Sequence, residues 1–186
     1  ARGAALYQEQ CAACHGVAGQ GDGPAAAQLD PPPIAFTDAE RARSRSLYSL
    51  YEAISQGVAG TAMPGFPSLS AEDPWALSFY VGTLAYPATA REEGARLWRQ
   101  DRTLRERIPD LETLIRQTEN ELSGEWDPSR AQAVLSYLRA TPSALAGETG
   151  VALARSRLHQ SFAAYQSGNT QEPSRLALSA YLDGIE

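Results

Sequence analysis

The sequence predicts an all-α protein with two parts. Apolar side chains recur at helical spacing through most of the chain, no stretch alternates as a strand does, and glycine and proline are concentrated in the first half. A length of 186 residues is enough for two small domains. We therefore predict a turn-rich helical domain over residues 1–88 and a small helical domain over residues 89–186.

The first helix is predicted from Gly3 to Cys14, and it carries the motif Cys11-Ala-Ala-Cys14-His15. Two thiols three residues apart lie on one side of a helical turn, and the next side chain, an imidazole, faces the same way. This spacing is typical of c-type haem attachment, in which both sulfurs form thioethers and the histidine ligates the iron. The motif predicts one covalent haem c.

Other uses of these cysteines are less consistent with the sequence. A zinc site needs four ligands, and the chain has only two cysteines and one further histidine, His159. A thioredoxin-like redox pair belongs to a βαβ context, which the sequence lacks. A disulfide between Cys11 and Cys14 stays open as an alternative. Haem attachment is the favoured interpretation.

Two more helices are predicted in the first part, after a segment rich in Gly, Pro and Ala (residues 16–33) that suits the wrapping of a flat cofactor. One spans residues 46–56, and its apolar stripe is Leu47, Leu50, Tyr51 and Ile54. The other follows Ser70-Ala-Glu-Asp73, which resembles a capping box with Asp in place of Glu. Its predicted buried face consists of Trp75, Phe79, Tyr80 and Leu84.

Met63 is the only methionine of the chain, and it lies in the turn-rich stretch Gly60-Thr-Ala-Met-Pro-Gly-Phe66. A methionine that merely fills the core would lie within an apolar helical stripe. We therefore predict that Met63 is the second axial ligand of the haem iron. His/Met ligation raises the reduction potential and fills both axial positions, which favours electron transfer over oxygen binding.

Taken in order, these motifs resemble a small class I cytochrome c over residues 4–86. The resemblance rests on Gly3, Tyr7, the loop ending in Gly23-Pro24, the run Pro33-Ile-Ala-Phe36-Thr-Asp, Ile54, Gly57, Met63-Pro64 and Tyr80-Val81. It implies a class I cytochrome c domain in which the Pro24 carbonyl accepts a hydrogen bond from the proximal histidine. It also implies that the last helix crosses the first near Gly3, and that the protein is exported to the periplasm.

The second part begins near Ala90, where glycines thin out and helical periodicity takes over. Asp127-Pro128 is an N-cap followed by proline at the first helical position. Short helices with narrow apolar stripes predict a small up-and-down bundle. The five stripes are Leu97, Leu104 and Ile108; Leu111, Leu114, Ile115 and Leu122; Val134, Leu135 and Leu138; Val151, Ala154, Leu158, Phe162 and Tyr165; and Leu178, Tyr181, Leu182 and Ile185.

The charge of the chain excludes one class of partner. All 16 basic residues are arginines, and 22 acidic residues give a net charge of −6. An acidic chain without a basic stripe argues against nucleic-acid binding. The charge pattern identifies no redox partner protein, and no apolar run is long enough to span a membrane.

The end of the chain resembles the extracytoplasmic region of bacterial high-affinity iron permeases, the iron/lead transporter family. The matching residues are Leu153-Ala-Arg155, Leu158, Tyr165, Gly168 and the final run Leu176-Ala-Leu178-Ser-Ala-Tyr181-Leu-Asp183-Gly-Ile-Glu186. Some members of that family carry an amino-terminal cytochrome c domain. The resemblance implies ferrous iron as a partner, a membrane-embedded permease region in the same native chain, and tethering to the cytoplasmic membrane.

Three residues are candidate ligands of non-haem iron. Ferrous iron favours imidazole and carboxylate ligands. Asp183 and Glu186 can share one helix face, and His159 is the only histidine outside the haem motif. The alternatives are a solvated helix end for the carboxylates and a surface or hydrogen-bonded position for His159. A looser acidic cluster, Glu119, Glu121 and Glu125, is interpreted as forming surface salt bridges, and Arg116 can pair with Glu119 on one helix face.

Three functions follow from these observations. In the first, the chain is the periplasmic portion of a cytochrome c-fused iron permease, where the helical part binds iron and the haem accepts an electron in a ferroxidase-like step. In the second, it is a plain electron carrier whose helical part docks a partner or supports the cytochrome. In the third, it is a sensor or enzyme with an open position on the haem iron.

Overall fold

The computed structural model of the protein describes residues 2–145 and 151–166. The chain divides into two compact units, Ala1–Pro142 and Ser143–Glu186. Within the described ranges all regular elements are helical, and β-structure is limited to one isolated bridge. The all-α prediction is confirmed. None of the described helices is both long and apolar enough to cross a membrane.

The helices of the described ranges are short, and most begin at a side-chain cap. Two 3₁₀ turns, Ala26–Gln28 and Pro142–Leu145, accompany them. The α-helices are α1 (Arg2–Gln10), α2 (Ala12–His15), α3 (Ala39–Arg43), α4 (Leu47–Gln56), α5 (Asp73–Val81), α6 (Ala88–Gln100), α7 (Arg102–Arg107), α8 (Leu111–Arg116), α9 (Glu119–Ser123), α10 (Pro128–Ala140) and α11 (Val151–Gln166).

Helix α1 crosses α5 at Gly3, where a Cβ atom would lie 2.1 Å from the carbonyl oxygen of Ala76. Only a residue without a side chain allows the two backbones to approach this closely. Tyr7, one turn further along α1, is fully buried and packs against Tyr80 with 5.3 Å between ring centroids. The predicted crossing of the first and last cytochrome helices near Gly3 is confirmed.

The predicted continuous helix from Gly3 to Cys14 is wrong at one point. The helix is interrupted at Cys11, whose φ of −118° separates α1 from α2. The backbone hydrogen bonds nevertheless continue across the break, from Cys11 N to Tyr7 O and from His15 N to Cys11 O, both 2.9 Å long. The haem motif therefore occupies its own short helical turn at the end of α1.

Helix α4 begins and ends where the sequence predicts. The Ser46 hydroxyl accepts a hydrogen bond from Ser49 N at 3.0 Å, and Gly57 ends the helix with a φ of +75°. At α5 the Asp73 carboxylate accepts from both Ser70 N and Ser70 Oγ, as half of a capping box would. The cap residue itself is Glu72.

The buried face of α5 differs from the prediction. Leu77, Ser78 and Val81 are buried, whereas the four predicted residues are only half-buried: Trp75, Phe79, Tyr80 and Leu84. Helix α1 meets the side of α5 that contains Ala76 and Tyr80, and the fully or nearly fully buried Leu77 and Val81 lie one position further around the helix. Trp75 instead stacks on Tyr51 of α4 at 4.1 Å between ring centroids.

In the second part the predicted helix boundaries are partly wrong, because side-chain caps divide two predicted helices. Asp101 accepts from Thr103 N at 2.9 Å and starts α7, which separates Leu97 from Leu104. Thr118 and Glu121 form a full capping box that starts α9. In the first part, helix α3, which Asp38 caps, was not predicted.

Helices α6 and α10 pack together as the main helical pair of this part. A Cβ atom at Gly94 would lie 1.9 Å from the Ala133 carbonyl oxygen, so the two backbones are in contact there. Asp127 caps α10 as predicted, accepting from Ser129 N at 2.9 Å. The fully buried apolar side chains around the pair are Leu104, Ile108, Leu114, Leu122, Val134, Leu135 and Leu138.

The second unit contains helix α11, where the sequence predicts one. Leu158, Phe162 and Tyr165 were predicted to form its apolar stripe, and their side chains are 53%, 61% and 72% exposed. The predicted helix over residues 178–185 lies outside the described residues. The domain boundary between residues 88 and 89 stays a prediction; α6 begins there, at Ala88, within the first unit.

Candidate haem site

The two cysteines and the histidine of the motif lie within one helical turn. Both thiols are free and half-buried. Burial and the neighbouring thiol raise the pKa of Cys11 to about 11. The Cys11 thiol is therefore protonated at neutral pH, unlike the low-pKa thiol of a thioredoxin-like pair. The turn presents two thiols side by side, as thioether attachment requires.

His15 is held in a single orientation by two contacts. Its Nδ1 lies 3.0 Å from the carbonyl oxygen of Ile34, and its ring stacks on Phe36 with centroids 4.4 Å apart. Since a carbonyl can only accept, this hydrogen bond places the proton on Nδ1 and leaves the Nε2 lone pair free. Burial lowers the pKa of His15, which favours the neutral imidazole that a metal requires.

The predicted role of Pro24 is wrong, because Ile34 supplies the carbonyl that His15 contacts. Gly23 N donates to Cys14 O at 3.1 Å and Ala25 N donates to Ala13 O at 2.9 Å. In a trans peptide the C=O points opposite to the N–H of the next residue. The Pro24 carbonyl therefore points away from the α2 backbone to which Ala25 is bonded.

The loop after the motif positions Ile34 and Phe36 beside the histidine. Gly21, with a φ of +77°, donates its N–H to His15 O at 2.8 Å, and a Cβ atom there would lie 2.7 Å from Pro33 O. The Tyr7 hydroxyl donates to Gly16 O at 2.8 Å and fixes the start of the loop. Sequence reasoning missed Ile34, although the run from Pro33 to Phe36 was among the motifs that pointed to the fold.

Met63 lies on a closed loop between α4 and α5. Val58 N donates to Met63 O at 3.1 Å, and Met63 N donates to Thr61 Oγ1 at 3.1 Å. The isolated β-bridge between Gly57 and Pro64 closes the base of the loop. The methionine is half-buried and belongs to no apolar helical stripe, as predicted.

The donor set fits a covalent haem. Cys11 and Cys14 offer the two thiols, and the free Nε2 of His15 offers an axial nitrogen on the same turn. Because Ile34 O accepts the hydrogen bond from Nδ1, the imidazole is oriented by this bond and by the Phe36 ring. These residues could therefore hold a haem iron from one side, and Met63 is the candidate for the other.

Of the three candidate ligands of non-haem iron, His159 lies among the described residues. His159 is exposed on α11, and Asp183 and Glu186 lie outside the described residues. Within residues 2–145 and 151–166, no group of three or more His, Cys, Asp or Glu side chains is arranged to hold a metal ion.

The predicted pairing of Arg116 with Glu119 is wrong, because both side chains have other partners. Glu119 is buried and pairs with Arg43 of α3 at 3.0 Å. Arg116 lies 3.8 Å from Glu112 and covers the Tyr48 ring at 5.1 Å from its centroid. Glu119 is thus buried in a pair with a residue that is distant in sequence. Helical spacing cannot predict such a pair.

Comparison with known proteins agrees with the motif and the helix order. Residues 1–85 match the cytochrome c family, and this part of the chain is a cytochrome c domain. A domain of this family carries haem c and suggests haem-based electron transfer.

A solved chain of the reducing HAO-like protein complex of Kuenenia stuttgartiensis is 36% identical to this one, with a TM-score of 0.40. The match covers 45% of this chain and 42% of that chain, so it spans less than half the length of either. No curated protein matches the chain.

Proposed function

We propose that the chain is an electron-transfer protein whose haem c is attached at Cys11 and Cys14 and ligated by His15 and Met63. The observation that carries this proposal is the hydrogen bond from His15 Nδ1 to Ile34 O, which leaves Nε2 available as an axial donor. A haem with two protein axial ligands supplies reversible one-electron chemistry at high potential. The protein's own part is to orient His15 and to present the Met63 sulfur from a closed loop.

The axial role of Met63 is tested with the variant Met63→Ala in the mature haem protein. We expect the reduced variant to bind carbon monoxide readily, whereas the wild-type protein does not, because only the variant has an open axial position. Val58→Ala changes an exposed apolar side chain on the same loop and serves as the control. Carbon monoxide binding by the wild-type protein would instead favour a sensor or enzyme with an open iron position.

We further propose that the protein is the periplasmic portion of an iron permease, tethered to the cytoplasmic membrane by a permease region of the same native chain. The support for this finer proposal is the resemblance of residues 153–186 to the extracytoplasmic part of iron permeases. Ferrous iron is the proposed substrate, with Asp183, Glu186 and His159 as ligands. Oxidation of one Fe²⁺ to Fe³⁺ releases the single electron that one ferric haem can take up.

The iron proposal is tested by adding ferrous iron anaerobically to the oxidised full chain. We expect the haem absorbance to change to that of the reduced form, and about one iron to remain bound per chain after desalting. The double variant Asp183→Ala/Glu186→Ala is expected to lose both effects. Glu92→Ala removes an exposed carboxylate from α6 and is the control.

A plain electron carrier is the second candidate function. The exposure of His159 on α11, where no second ligand is described beside it, favours this function. If ferrous iron neither binds nor reduces the haem, the permease proposal is wrong and the carrier remains. Retention of the His/Met absorbance spectrum in the same sample would show that the electron-transfer proposal is unaffected.

A further inference from the structure

Arg139, in the last turn of α10, is buried within the first unit at 2% exposure. Its guanidinium group donates to three backbone carbonyls: Arg45 O at 2.9 Å, Gln117 O at 3.3 Å and Gly82 O at 3.4 Å. These carbonyls come from three separate segments of the chain. Arginine is among the residues least often buried, so this position calls for a physical explanation.

A small cavity connects Arg139 with the residues that orient the haem ligand. The cavity has a volume of about 30 Å³, and Arg139, Ile34 and Phe36 all line it. Ile34 O accepts the hydrogen bond from His15, and Phe36 stacks on the imidazole ring. Arg139 lies outside residues 1–85, which match the cytochrome c family. Its positive charge nevertheless shares a cavity with the two residues that contact the axial histidine.

The positive charge of Arg139 is only partly compensated. Arginine stays protonated in proteins, and the nearby buried carboxylate, Glu119, is already paired with Arg43 at 3.0 Å. The Tyr86 hydroxyl accepts a hydrogen bond from Arg139 Nη1 at 3.4 Å, and the Tyr86 ring centroid lies 5.7 Å from the Arg139 guanidinium carbon. Arg43 is 40% exposed, so solvent screens its charge, whereas Arg139 lies in a water-poor region where fields are weakly screened. Of the other charged side chains that line the cavity, Asp38 and Arg41 are exposed and pair with each other, and Arg45 is half-buried.

We propose that Arg139 raises the reduction potential of the haem by placing a buried positive charge beside the Ile34 and Phe36 contacts of His15. The inference rests on the proposed electron-transfer function and gives the second part of the chain a role in it. A fixed positive charge disfavours the additional positive charge of the oxidised iron, so it stabilises the reduced state. Arg139 is a positioning residue: its charge acts on the haem through space, and it is not an iron ligand.

The test is the midpoint potential of the mature full chain, measured by spectroelectrochemical titration at pH 8. Arg139→Gln removes the charge, and we expect the equilibrium to shift toward the oxidised haem by about tenfold, about 59 mV for one electron. Arg139→Lys keeps the charge and should retain most of the wild-type potential. Arg130→Gln removes a positive charge from the same helix, at a residue that pairs with Asp101 and does not line the cavity, and should leave the potential unchanged.

A second variant of opposite sign keeps the test decisive if Arg139→Gln fails to fold. Glu119→Gln removes the compensating negative charge and should raise the potential. A folded Arg139→Gln with wild-type potential would overturn the proposal, and so would a Glu119→Gln variant whose potential is unchanged or lower. Equal shifts in Arg139→Gln and Arg130→Gln would overturn it too, because the cavity would then be irrelevant.

The outcome is separable from the proposed function itself. If the wild-type chain carries no covalent haem, or its reduced haem binds carbon monoxide, the His/Met electron-transfer proposal fails whatever Arg139 does. If the wild-type spectrum is that of a His/Met haem and the variants show no charge-dependent shift, only the role of Arg139 is wrong. Thermal unfolding of each variant separates lost stability from a changed potential.

Discussion

The cytochrome c domain and the helices that follow it use different means to define their interiors. Around His15 the chain is mostly loop, and tight glycine turns hold Ile34 and Phe36 against a single imidazole. Around α6 and α10 the helices carry their own apolar core, and α7 to α10 begin at side-chain caps, whereas α6 does not. Loops that wrap a site depend on what the site holds, whereas helices with an apolar core of their own depend on it less.

This difference predicts that loss of the haem destabilises the cytochrome c domain more than it destabilises α6 and α10. Cys11→Ala/Cys14→Ala removes both thioether positions, and we expect covalent haem per chain to fall to near zero. Amide hydrogens of α1 and α2 should then exchange at least about tenfold faster, while those of α6 and α10 change little, because local opening tracks local contacts. Haem content and hydrogen exchange measured on the same preparations provide the check.

Ala13→Ser alters an exposed side chain within the same motif and is the control for that experiment. Equal acceleration of exchange in α1 and α10 would contradict the contrast between the two regions. It would mean that both unfold as one cooperative unit.

A smaller effect is expected from the two glycine crossings, one in each region. Gly94→Ala places a methyl group 1.9 Å from Ala133 O in the middle of α6, and should cost about 1–3 kcal/mol of unfolding free energy. Gly3→Ala meets Ala76 O at 2.1 Å, but α1 can shift more easily near its start, so its cost should be lower. Urea denaturation followed by circular dichroism measures both.

Gly124→Ala provides the matched control for these crossings. Its φ is −74°, and the added methyl group would lie 3.3 Å from Glu121 O. The expected change is within about 0.5 kcal/mol. If Gly124→Ala costs more unfolding free energy than Gly94→Ala, the close approach of α6 and α10 does not depend on glycine at position 94.

The smallest expected effect is the acid sensitivity of Asp73. Hydrogen bonds from Ser70 and from the Arg2 guanidinium hold its pKa below the ordinary value of 3.8. A lowered folded-state pKa stabilises the fold above the ordinary value, and this contribution is lost as the pH falls through the folded-state pKa. Asp73→Asn should therefore be less stable than wild type at pH 7, and the difference should shrink below about pH 3.8.

The counterpart in the second region is Asp110, whose pKa is lowered by the N–H and hydroxyl of Thr113. Asp110→Asn can still cap α8, so its loss at pH 7 should be smaller than that of Asp73→Asn. Urea midpoints between pH 3 and pH 7 measure both differences. If the Asp73→Asn difference stays constant down to pH 3, the hydrogen bonds to Ser70 and Arg2 do not stabilise the ionised form.

Several elements were predictable because their cause is local. The Asp127-Pro128 cap of α10 and the end of α4 at Gly57 require only neighbouring residues, and both were predicted correctly. The missed breaks at Asp101 and Thr118 are also local signals, but the apolar stripes continue across them. Hydrophobic periodicity therefore predicted two long helices where caps divide the chain into four.

The haem attachment residues follow from the sequence alone, because Cys11, Cys14 and His15 lie within five consecutive residues and one helical turn suffices to align them. The residue that orients His15 does not, since Ile34 lies 19 positions away and reaches the imidazole only after the intervening loop has turned at its glycines. Only tertiary structure placed Arg139 beside Ile34 and Phe36, because burying a guanidinium requires carbonyls from three distant segments at once.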